Sequence, residues 1–142
     1  MHDTTKQFLA YLDTKSFRYT LVRDADAEPA SDVVKVAFSG EQVDVTVTFF
    51  FDHDDEHASL RVFNLVKVPA DKIPAMLTVV NQINNEYRFA KFCIDSDDNT
   101  IQAEMDCIFR QHDIDEICYE ALLRMVNICN DAYPVFMKSL WA

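Results

Sequence analysis

Six consecutive residues, Asp52, His53, Asp54, Asp55, Glu56 and His57, carry the imidazole nitrogens and carboxylate oxygens that bind zinc or nickel. Two histidines four apart converge when they share a helix face. This run instead joins two stretches of alternating apolar residues, so it reads as a hairpin tip where the histidines diverge, and a solvated acidic turn is expected. Asp95, Asp97 and Asn99, with Asp106 in twelfth place, imitate the opening of a calcium loop. Thr100 stands where that loop needs glycine, and Ile101, Ala103, Met105 and Cys107 alternate as a strand. No metal and no cofactor is expected.

Nucleophiles fare no better. Cys93, Cys107, Cys118 and Cys129 are 14, 11 and 11 residues apart, without the two-residue spacing of a zinc knuckle or redox dithiol. They read as reduced, structural thiols. His112 has the right chemistry for an acid or base, but the serines all fall near segment ends and none has a neighbouring base. Gly40 is the only glycine, which disfavours a phosphate-cradling loop, a dinucleotide fingerprint or a nucleophile elbow. No catalytic residue is assigned.

The elements that would position these residues follow from periodicity. Thr4 with Gln7 predicts a capped helix through Phe8, Tyr11 and Leu12 to about Lys15, and Phe17, Tyr19 and Leu21 predict a strand. An acidic loop with Asp24, Asp26, Glu28, Pro29 and Asp32 comes next. With Ser39 and Gly40 as a tight turn, Val36 would pair with Val43, Val34 with Val45 and Lys35 with Asp44. Strands over Val43–Phe51 and Leu60–Val66 follow, with Phe51 opposite Ala58; Asn64 then points inward, against its chemistry.

Val68 to Tyr87 reads as a helix with Ile73, Met76, Leu77, Val80, Ile83 and Tyr87 on one face, started near Pro69 and Pro74. A type I′-like turn at Asp97 and Asp98 sets Ile94 opposite Ile101, Phe92 opposite Ala103, Cys93 opposite Gln102 and Lys91 opposite Glu104. Asp113 and Glu116 would cap a last helix running to about Leu140, kinked or broken by Pro134. Asn81 and Asn84 would tie the end of the central helix to the neighbouring strand or face water. The order is α-β-β-β-β-α-β-β-α: an α+β domain with an antiparallel sheet and helices packed on one face.

At 142 residues and 49% hydrophobic content the chain fits one domain, and its first twenty residues hold no apolar run long enough for a leader or a span. A cytoplasmic location and no membrane contact are expected. A formal charge of −11 argues against nucleic acid and for solubility or a basic partner. Phe50, Phe63, Leu65, Phe89 and Ile108 fall on the sheet face away from the helices, and the last helix has an unusually wide apolar face. Phe50, Phe63, Leu65, Phe89, Phe136 and Leu140 are therefore candidates for a partner or dimer interface.

The element order, Asn81 and Asn84 late in the central helix, and the run Tyr87, Arg88, Phe89, Ala90, Lys91, Phe92 before an acidic turn resemble the YbjN-type family of bacterial sensory-transduction regulators. The resemblance covers nearly the whole chain as one YbjN-like domain over residues 1–142. It implies a type III secretion chaperone-like fold and a non-enzymatic regulatory or chaperone-like role, exercised by contact with a protein partner, as a homodimer. The alternative is a small-ligand or metal-binding sensor. Asp98 and Asn99 stand where such turns commonly have glycine, and Asn99 can take the left-handed conformation.

Overall fold

The computed structural model describes residues 1–25 and 30–142. Of the acidic loop, Asp26, Glu28 and Pro29 lie outside the described residues. Helix α1 (Asp3–Thr14) precedes β1 (Thr20–Arg23), β2 (Asp32–Phe38), β3 (Val45–Phe51) and β4 (His57–Lys67). A short 3-10 turn, Ala70–Lys72, enters α2 (Ile73–Glu86), and β5 (Lys91–Asp95), β6 (Thr100–Ile108) and α3 (Ile114–Leu140) complete the chain. The six strands form one antiparallel sheet in the order β1-β2-β3-β4-β6-β5.

Alternation decides the faces. Val34, Val36, Val45, Val47, Phe49, Phe51, Leu60, Val62, Phe92, Ile101 and Ala103 are all buried, and the helices cover that side. Phe8 of α1 rests on Phe49 and Phe51, with ring centroids 5.2 and 5.7 Å away. Helix α3 crosses β3, β4 and β6 and touches both other helices, so its buried residues, from Ile114 through Met125 to Leu140, form the spine of the core. Each large apolar side chain taken out of water there contributes about 1.5–3 kcal/mol.

The β5–β6 register is as expected: Lys91 faces Glu104, Phe92 Ala103, Cys93 Gln102 and Ile94 Ile101. Its loop is longer than a two-residue turn. Asp95 already pairs with Thr100, and Asn99 closes the loop at φ 58°, donating its N–H to the Asp95 carbonyl at 2.8 Å.

The β2–β3 register is corrected by four residues. Val36 pairs with Val47, Val34 with Phe49 and Lys35 with Thr48, because residues 39–44 form a wide loop instead of a tight turn. Asn130 of α3 holds that loop: its Oδ1 accepts from the Gln42 and Val43 N–H groups at 2.9 and 3.2 Å. An even-numbered shift preserves the faces, so alternation alone could not reveal it. Gly40 is needed for space, since a Cβ there would lie 2.2 Å from the Val43 carbonyl and 2.3 Å from Asn130 Oδ1.

The inward Asn64 is resolved by a bulge. Between the Val62–Ala103 and Val66–Ile101 pairs β4 uses two more residues than β6, and Asn64, at φ 54°, turns out to solvent. That displacement carries Leu65 into the core.

Four local expectations also change. Thr4 does not cap α1; its N–H and Oγ1 donate to Asp55 Oδ1 at 3.2 and 2.8 Å, and the cap position is His2. The Asp113 carboxylate accepts from the Arg110 N–H at 2.7 Å and does not cap α3. Helix α3 runs through Pro134 to Leu140 without a break, and Leu77 of α2 is exposed.

Candidate functional site

The interface candidates separate into three groups. Phe136 and Leu140 are buried, Phe136 edge-on to Phe92 at 5.2 Å, and Leu65 is buried beside them in the same core. These three build the domain and are withdrawn as surface residues. The wide face of α3 is used up internally, because α1, α2 and three strands all pack on it.

Phe50 and Phe63 do lie on the uncovered sheet face, their rings 6.4 Å apart and nearly perpendicular. They converge across the Thr48–Arg61 pair, and Thr48 is buried there. Phe63 keeps 48% of its surface exposed.

Phe89 is exposed but leaves the sheet. Its φ of 74° turns the chain away just before β5, and the Arg124 guanidinium of α3 lies 4.8 Å over its ring. Arg124 is held in turn by Glu120 at 2.8 Å. Phe89, Met105, Cys107, Ile108, Ile117 and Ala121 line a groove of about 310 Å³ between the β6 edge and α3. Ile108, at its mouth, is 67% exposed. Ile117, Ala121 and Arg124 carry no signal as groove-lining residues in the sequence, because a helix stripe does not say which of its ends a shorter neighbouring strand fails to cover.

Asn84 performs the tying role expected of the pair, and Asn81 is exposed. The Asn84 amide donates to the Phe92 carbonyl at 2.9 Å and accepts the Phe92 N–H at 2.8 Å. Lys91 Nζ reaches back to the Asn84 and Tyr87 carbonyls at 2.8 and 2.7 Å. The outer edge of β5 is thereby closed at Phe92 by a side chain.

In the 52–57 loop the structure gathers Asp52, Asp54 and His57, with one ligand atom from each within 4.8 Å of the others. Hairpin closure causes this, Asp52 N–H donating to the His57 carbonyl at 3.0 Å, and His53 is not a member. His57 Nδ1 lies 2.5 Å from Asp54 Oδ2. Partial burial raises the Asp54 pKa, but the Glu56 N–H and His57 outweigh it and the net shift is downward.

The thiols are free and chemically quiet. Burial pushes Cys107 up to about 11 and Cys129 up to about 12, and raises Cys118 further. Cys93, half-buried opposite Gln102, is raised by desolvation and by its hydrogen bond to Glu104. His112 is exposed, 3.8 Å from Asp113. Among the described residues no helix is long and apolar enough to cross a membrane.

No curated protein sequence matches the chain. Among solved structures it is similar to the crystal structure of YbjN, "a putative transcription regulator from E. coli", at 12% identity with a TM-score of 0.57, each chain covered over 90% of its length. At that identity the likeness is one of fold. The family described as "Putative bacterial sensory transduction regulator" matches residues 7–136, nearly the full length of sheet and helices. This chain belongs to the YbjN family.

Proposed function

We propose that this protein is a cytoplasmic, non-enzymatic regulator that acts by binding protein, with a chaperone-like mode of contact, and that its working form is a homodimer. The observation that carries the reading is the exposure of Phe63, Phe89 and Ile108 on a domain whose other phenylalanines are buried or half-buried. Apolar groups grouped at one edge and one open face of a sheet are stable in water at a cost, and a partner that covers them recovers about 25 cal/mol for each Å². Family membership supports a regulatory role.

Light scattering from low to high micromolar concentration tests it. The expected result is a rise above the 16.4 kDa of one chain towards twice that mass. A single-chain mass at every concentration overturns the homodimer.

The clustering of Asp52, Asp54 and His57 favours a second reading, a metal-sensing loop at the hairpin tip. Its test is calorimetry with zinc alone. Micromolar binding lost in His57→Ala supports it, and no heat with the parent chain removes it.

A further inference from the structure

Strand β6 runs from Thr100 to Ile108, but β5 accompanies it only from Thr100 to Glu104. Met105 to Ile108 have β4 on one side and no strand on the other. The direction of their backbone groups follows from two observations. Phe109 donates its N–H to the Glu56 carbonyl at 2.9 Å, and Phe92 of β5 spends both its backbone groups on Asn84, away from β6. Antiparallel pairs alternate, so odd residues of β6 bond to β4 and even ones face β5. Asp106 and Ile108 therefore present N–H and C=O where β5 has ended, and no other hydrogen bond found among the described residues reaches those groups. On the neighbouring β5 the outward groups of Phe92 are taken by Asn84, whereas those of Asp106 and Ile108 are open.

We propose that a second copy of this chain fills it. The inference rests on the homodimer above and assigns its contact: β6 pairs antiparallel with β6, Asp106 opposite Ile108 of the partner subunit and Cys107 opposite the partner's Cys107.

Local charge and register select that occupant. Although the chain carries −11, the carboxylates that line the groove are already matched: Asp106 with Arg61 at 3.1 Å and Glu120 with Arg124 at 2.8 Å. A basic segment finds no unpaired carboxylate there, whereas Ile108 and Phe89 are 67% and 58% exposed.

For the two sheets to continue with matching faces, even residues must oppose even residues. Placing Asp106 against itself sets like charges together and brings Ile108 to Glu104, whose outward groups already serve Lys91. One step along, Asp106 meets Ile108, and the four outward groups of each copy are satisfied by four interchain hydrogen bonds about a two-fold axis at Cys107. The contact is smaller than the roughly 1,200–2,000 Å² of permanent complexes, so association belongs in the micromolar range. Salt strengthens it by screening the repulsion of two acidic chains.

The test uses the full chain carrying Cys93→Ser. Facing residues of a non-hydrogen-bonded pair have Cα atoms about 4.5 Å apart, within disulfide reach. Diamide at alkaline pH is expected to link two chains, and Cys107→Ser to abolish the link. Ile108→Pro removes an outward N–H and leaves the β4 ladder whole; it is expected to weaken dimerisation by roughly tenfold or more with unchanged circular dichroism. Ile108→Glu, at an exposed position, sets a second carboxylate against Asp106 and is expected to weaken it likewise. Asp106→Lys in the same chain restores it only if the two positions face each other.

A dimer that persists with Ile108→Pro and Ile108→Glu, or that never links through Cys107, overturns the assigned contact and leaves the homodimer standing. A dimer weakened by salt also overturns it. A chain that stays single at all concentrations removes both.

Discussion

Asn84→Ala removes the side chain that closes the outer edge of β5 at Phe92. Two hydrogen bonds go, at 2.9 and 2.8 Å, and both end on the backbone of Phe92, whose side chain is buried against Phe136. Each bond is worth about 0.5–1.5 kcal/mol net, and leaving a partly buried N–H and C=O unpaired adds to the loss. The expected cost is about 2–3 kcal/mol. For a domain of this size that is a fall in Tm of roughly 6–12 °C. Urea unfolding at neutral pH measures the first figure and calorimetry the second. Hydrogen exchange gives a local readout: the Phe92 amide should lose protection by an order of magnitude or more, while the amides of β3 change only with global stability. A loss below about 0.5 kcal/mol with Phe92 exchange unchanged would refute the view that a side chain seals this edge.

Further outcomes follow from the same geometry. Asp32 is buried; desolvation raises its pKa, but the neighbouring Thr5 hydroxyl and the hydrogen bonds from the Ala25 and His2 N–H groups outweigh this, and the net shift is downward from 3.8. Its stabilisation is thus complete above about pH 4 and is lost as pH falls through the lower folded value; Asp32→Asn, measured by urea midpoint against pH, should flatten that acid limb and cost about 2 kcal/mol at pH 7. Gly40→Ala should cost about 1–3 kcal/mol, and adding Asn130→Ala should not recover it, because the Val43 carbonyl still blocks the new methyl group at 2.2 Å. In native protein at pH 8 a disulfide reagent should label Cys93 first and slowly, with Cys118 and Cys129, fully buried, reacting only on unfolding; Cys93→Ser should abolish the early phase seen by absorbance.

Legibility differed from element to element for physical reasons. The β5–β6 register could be read because two short strands joined by a few residues have one arrangement that sorts both the apolar and the charged pairs. The β2–β3 register could not, because a shift of four keeps every valine on its face and the loop is set by Asn130, some ninety residues on. Asn64 looked like an error of pattern and was the mark of a bulge. Leu65 was misplaced by that bulge. Phe136 and Leu140 were misplaced because an apolar stripe does not say how many neighbours share it.

What the order of residues determined by itself is local: which segments alternate with period two or three and four, which side of each is apolar, and that a single glycine leaves no glycine-rich loop. Side-chain direction is set by backbone geometry within a few residues, so these features need no partner. Tertiary structure alone decided that β6 lies between β4 and β5 and outruns β5, that Phe89 turns aside at a positive φ, and that Asp52, Asp54 and His57 meet. Each of these depends on where separate segments end relative to one another, and that is settled by packing across the whole core, which no local window contains.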